Sequence, residues 1–130
     1  MESKKVLKSQ GGFTLIELVA VIVVLGILAV VAVPRFINLQ EEANQAAVEG
    51  VAGGLASAFA LNYAACAVEN AECVEVNDCD DGDSLLIGGL DGDYSIAAGA
   101  LDGFGTTATC TVTGPEGHTA EFPGIGTTGL

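Results

Sequence analysis

Residues Phe13 to Val33 form a run of 21 in which Glu17 is the only ionisable side chain. As a helix this run spans about 31 Å, close to the hydrocarbon thickness of a bilayer. Its many Val and Ile residues lower helix propensity in water but not in lipid, where every backbone group must bond internally. Ahead of it, Met1 to Gly12 carry Lys4, Lys5 and Lys8 against one acid, Glu2. A secretory signal places its cleavage site after the apolar stretch, whereas here the small pair Gly11-Gly12 precedes it. Cutting after Gly12 leaves the apolar run on the chain and gives Phe13 a new amine. A single-pass anchor accounts for the lysines and the length, but not for the Gly-Gly or for Glu17.

Of 130 residues, about 33 are leader and apolar run, so the remainder holds a small core that benefits from a staple. The charge is lopsided. Past Gly12 there are sixteen acids against one base, Arg35, a side-chain charge of −15. Phosphate binding needs clustered Lys and Arg, so nucleic acid is not an expected partner. Lysines before the run and acids after it predict a cytoplasmic N-terminus with the bulk of the chain outside. The four cysteines, Cys66, Cys73, Cys79 and Cys110, all follow the run, and in an exported domain they predict two disulfides. Successive spacings of 6, 5 and 30 residues lack the short paired spacing of a zinc ribbon. Three connectivities are open. Cys66–Cys73 with Cys79–Cys110 is favoured, the first local and the second tying an acidic loop to a sheet.

Pro34 removes a backbone donor and disfavours helical geometry at Val33, so a kink or local melt is expected there, with Gly26 a second weak point. Arg35 is placed to snorkel to the outer interface. Phe36 to about Ala67 again reads helical, with Val48, Val51, Leu55 and Phe59 recurring at three- and four-residue spacing. Gly50, Gly53 and Gly54 weaken this helix by about 1 kcal/mol each relative to Ala. They imply close packing, either under the chain's own sheet or against neighbouring helices. Ser84 to Ile87 reads as a helical turn or short strand. Tyr94 to Ala98, Thr107 to Thr113 and Thr119 to Phe122 are strand candidates. Gly114-Pro115-Glu116-Gly117 favours a type I hairpin turn. The fold class is α+β: a long N-terminal helix packed on a small antiparallel sheet.

Gly12-Phe13-Thr14-Leu15-Ile16-Glu17, then an apolar helix with Pro34 at its far end, closely resembles the type IV prepilin family, which includes the pseudopilins of type II secretion. Val33-Pro34-Arg35-Phe36-Ile37-Asn38-Leu39-Gln40 is similar to the mannose-sensitive haemagglutinin type of short pilin. The resemblance implies three parts: a leader over 1–12, a transmembrane and filament-core helix over 13–34, and a globular domain over 35–130. It implies that a membrane prepilin peptidase cuts after Gly12, that Phe13 receives an N-methyl group, and that the Glu17 carboxylate serves subunit assembly. An acid inside a membrane needs a partner, and the Phe13 amine of an adjacent copy supplies one. The implied partners are further copies of the chain in a helical filament, the peptidase, and an inner-membrane platform with its ATPase. The implied locations are the inner membrane for the precursor and a cell-surface pilus after assembly, serving adhesion or motility. A secretion pseudopilin is the alternative.

The acids Asp78, Asp80, Asp81 and Asp83, with Asp91 and Asp93 nearby, invite a calcium reading, since Ca²⁺ favours clustered carboxylates. Their spacing does not match an EF-hand, with Gly82 at the fifth loop position and no Glu at the twelfth, and a solvated acidic loop is the favoured reading. His118, the only histidine, has no nucleophile and acid arranged with it in the sequence. No residue pattern points to an enzyme, a cofactor or a metal.

Overall fold

The computed structural model describes residues 12–129. Residues 1 to 11 of the expected leader, Gly11 among them, lie outside the described residues. The main elements are helix α1 (Leu15–Ala67), a short helix α2 (Gly82–Leu85), and strands β1 (Ser95–Ile96), β2 (Thr107–Thr113) and β3 (Thr119–Ile125). The chain clusters into two compact units that divide between Gln40 and Glu41.

In the first unit every large apolar side chain from Phe13 to Leu39 is exposed. The helix is apolar on all sides, with a mean hydropathy of 3.1 in its best 18-residue window, and by length and composition it can cross a membrane. Pro34 lies inside α1, which continues through it. Proline removes one hydrogen bond and leaves the flanking turns to hold the helix.

The second unit is built on one face of α1. Val48, Ala52, Leu55, Phe59, Asn62 and Cys66 are buried, at alternating steps of four and three residues. Val51, expected in this stripe, is only partly buried, and Ala52 takes the central place. The three strands form an antiparallel sheet in the order β1-β2-β3. Cys110 stands opposite Phe122 and Val112 opposite Ala120. The inward side chains Cys110, Val112 and Phe122 join Leu55, Phe59, Val76 and Leu101 in one core. The Phe59 and Phe122 rings lie 5.8 Å apart, tilted by 33°. Gly82 opens α2 against this core because a Cβ there would come within 2.8 Å of the Phe59 ring.

Three local expectations change. Of the candidate Tyr94 to Ala98, only Ser95–Ile96 is strand. The last strand does not stop at Phe122 but runs through Pro123 to Ile125. Pro123 is tolerated because β3 is an edge strand and one edge has no neighbour to receive an N–H. The hairpin turn is not type I. Glu116 has φ 60° and Gly117 φ 75°, and the His118 N–H donates to the Pro115 carbonyl at 3.3 Å. The Gly114 N–H donates to the His118 carbonyl at 2.7 Å, so the loop is the three residues Pro115 to Gly117, two of them left-handed, which excludes type I. Ser84 falls in the short helix α2, which ends at Leu85.

Two disulfides close the unit. Cys66–Cys73 has a Cα separation of 4.7 Å, and Cys79–Cys110, at 5.7 Å, ties a helical turn at Cys79–Asp81 to the middle strand. A clamp that the sequence reading did not anticipate holds the C-terminal stretch. The Asn62 side chain donates to the Val74 carbonyl and accepts from the Val74 N–H, both at 2.9 Å. The Thr127 hydroxyl donates to the same carbonyl at 2.7 Å and accepts from the Val76 N–H at 2.9 Å. Buried polar groups persist when they are paired in this way.

Phe59→Ala is expected to destabilise this unit by about 3–5 kcal/mol, since its fully buried ring leaves a cavity between helix and sheet. Chemical denaturation of the detergent-solubilised chain, followed by near-ultraviolet circular dichroism, checks this.

Candidate assembly site

Gly12 and Phe13 stand ahead of the first turn of α1, both exposed, and the Phe13 side chain retains 87% of its accessible surface. Thr14 caps the helix. Its hydroxyl accepts from the Glu17 N–H at 3.3 Å, and its own N–H donates to Glu17 Oε2 at 3.2 Å. This reciprocal pair is a capping box, and it satisfies two of the backbone donors that a helix start leaves open. It also places the Glu17 carboxylate at the positive end of the helix dipole. The pattern Thr-x-x-Glu before an apolar run carries this signal in the sequence, and the sequence reading passed over it. Glu17 is therefore held back toward Phe13 within its own chain, with one carboxylate oxygen engaged by Thr14.

Gly26, Gly50, Gly53 and Gly54 share a property: a Cβ built on any of them meets nothing within 4 Å. Packing under the chain's own sheet therefore does not require glycine at 50, 53 or 54. These positions expose helix backbone on an accessible surface.

The acidic loops use their carboxylates on their own backbone. Asp78 Oδ1 accepts from the N–H groups of Gly99 at 2.9 Å and Asp80 at 3.2 Å. Asp81 Oδ2 accepts from Asn77 and Asp78, both at 3.1 Å, and Asp83 accepts from the Leu90 N–H. Asp91 takes the Asp93 N–H at 3.1 Å. Among the described residues no group of three or more His, Cys, Asp or Glu side chains is arranged to hold a metal ion. The Gly99 and Asp80 amides hold the Asp78 carboxyl below its ordinary value, whereas the charge of Asp78, followed by partial desolvation, raises that of Asp80. His118 Nδ1 lies 3.1 Å from Gln45 Oε1, and Gln45 Nε2 donates to the Thr119 carbonyl at 3.0 Å. The lone histidine thus sits in a bridge between α1 and the start of β3.

These positions find their match in known sequences. Residues 7–33 match the family model described as "Prokaryotic N-terminal methylation motif". The chain carries the prepilin-type methylation motif. It is 56% identical over 50 residues to the type IV narrow pilus major component PilA5 of Thermus thermophilus, covering 38% of this chain and 43% of that protein. It is 32% identical over 114 residues to the type IV major fimbrial protein FimA of Dichelobacter nodosus, covering 88% of this chain and 63% of that protein. The matched parts thus span roughly two to three fifths of these relatives. No solved structure matches the chain. The resemblance to type IV prepilins holds in sequence motif, in named relatives and in the α+β architecture.

Asp78→Asn is expected to lower the melting temperature at pH 7, and Asp80→Asn to raise it slightly. A carboxylate with a depressed folded value stabilises above its ordinary titration, and that contribution is lost as pH falls through the folded value. A raised carboxylate has the opposite sign, so its charge opposes folding near neutrality. Melting curves of both variants between pH 2.5 and pH 7 test the two signs, and both differences from the parent should shrink at the acid end.

Proposed function

We propose that this chain is the structural subunit of a type IV pilus, cut after Gly12 by a prepilin peptidase, methylated on Phe13 and polymerised through α1. The observation that carries this reading is the junction itself. A methylation motif over residues 7–33 covers both Gly12-Phe13 and the start of a helix whose apolar side chains are exposed all round, with one acid in its first turn. A helix apolar on every side needs lipid or other helices around it. As a precursor it anchors in the inner membrane with its N-terminus in the cytoplasm. After assembly the same surface is covered by neighbouring copies in a filament at the cell surface.

Glu17 sets the register of that packing. One of its carboxylate oxygens is engaged by the Thr14 N–H, which leaves the other for the Phe13 amine of an adjacent copy. In an apolar surrounding such a pair is strongly position-specific, although desolvation offsets much of its energy. Gly26 and Pro34 are the proposed bending points of α1, and the open glycines at 50, 53 and 54 allow neighbouring helices to approach closely. The division into a 1–12 leader, a 13–34 core helix and a 35–130 exposed domain follows from the same reading. An inner-membrane platform and its ATPase drive assembly, and the filament serves adhesion or motility. The two named relatives are both pilus or fimbrial components, which favours a filament over a secretion pseudopilin.

Glu17→Ala should leave a processed, membrane-held subunit whose sheared surface filament falls at least tenfold, while a bulky residue at Gly12 should block processing. Immunoblots of sheared and cell-associated fractions report both outcomes. Normal filament yield from the Glu17→Ala strain rules out the register role.

A further inference from the structure

Arg35 is the only Lys or Arg between Gly12 and the end of the chain, against sixteen acids. It lies exposed on α1 among the exposed apolar side chains Val31, Val33, Phe36, Ile37 and Leu39. Its neighbours one helical turn away are Val31, Ala32, Asn38 and Leu39, so no acid sits at a spacing that pairs within a helix. When copies pack along this stretch, water leaves Arg35, and a desolvated guanidinium without a counter-charge is costly. The covering surface is a second copy of the same chain, and it must bring a carboxylate.

The register proposed for Glu17 says which one. If the Phe13 amine of one copy is level with Glu17 of the next, the two are offset by four residues, about 6 Å of helical rise. The same offset puts Arg35 of the first copy level with Leu39 of the second. Glu41 and Glu42 stand two and three residues further on, about 3–4.5 Å along the axis. An extended arginine side chain covers that distance.

We propose that Arg35 of one copy pairs with the Glu41–Glu42 carboxylates of its neighbour, a second interchain ion pair in the register set by Phe13 and Glu17. This rests on the filament reading and adds the element that lets chains of charge −15 pack side by side. It supplies one attractive charge contact per interface where every other pairing of ionised side chains is repulsive. It also makes the register doubly specified, because a slip of one helical turn separates both pairs together.

The test uses full-length subunits in piliated cells and compares sheared filament with processed, cell-associated subunit. Arg35→Glu, and Glu41→Lys with Glu42→Lys, should each cut filament yield tenfold or more at an unchanged level of processed subunit. Combining the three substitutions should restore most of the yield. Arg35→Gln, which removes the charge without reversing it, should give a smaller loss. Wild-type yield from Arg35→Glu overturns the pairing, as does a combined variant no better than the worse parent. If sheared wild-type filaments lack this chain altogether, the subunit reading fails, and the pairing fails with it.

Discussion

The globular unit depends on the burial of one stripe of α1 beneath three short strands. Val48, Ala52, Leu55 and Phe59 offer the sheet a continuous apolar line, and Phe122 and Val112 close on it from β3 and β2. Few residues are fully buried, so each contributes a large share of a small stability. That explains why Cys110 lies within the core and not at its rim. Its bond to Cys79 fastens the acidic turn directly to the middle strand. The Asn62 and Thr127 clamp works in the same way at the other end, holding the 74–76 stretch and the C-terminal residues to α1 through paired buried groups.

Negative charge shapes the rest of the surface. With sixteen acids past Gly12 the chain must place carboxylates close together, and it directs several of them at its own backbone amides. The Asp78 and Asp81 carboxylates reciprocally cap the turn at Cys79–Asp81, and Asp83 pins the loop that returns at Leu90. Thr14 and Glu17 cap the start of α1 by the same chemistry. Loops rich in carboxylates by composition turn several of those carboxylates onto backbone amides. The cost of this arrangement shows at Asp80, whose ionisation is opposed chiefly by Asp78.

Much of the N-terminal end was legible in the sequence. The position of Gly12 ahead of the apolar run, and Glu17 inside it, are facts of order and composition that no folding alters. The capping box was legible too, since Thr-x-x-Glu is a local pattern whose hydrogen bonds close within one turn. The strands were located to within a few residues where threonine alternates with apolar side chains, as in β2. They were misjudged at Pro123, because whether a proline is tolerated depends on which strand lies at the edge. The hairpin turn was misjudged because the sequence pattern admits type I, while the folded loop places both Glu116 and Gly117 in the left-handed region.

The sequence by itself determined an apolar helix with one acid, a methylation motif across its start, four cysteines and an acidic remainder. These follow from composition, periodicity and local hydrogen bonding, all of which act over a few residues. Only the tertiary structure decided which cysteines meet, which proline sits on an edge, and that Asn62 and Thr127 share a carbonyl 53 residues from the latter. It also showed that a Cβ at Gly50, Gly53 or Gly54 would meet nothing within 4 Å. Those outcomes depend on distances between residues far apart in the chain, which are set only when the stripe of α1 closes on the sheet.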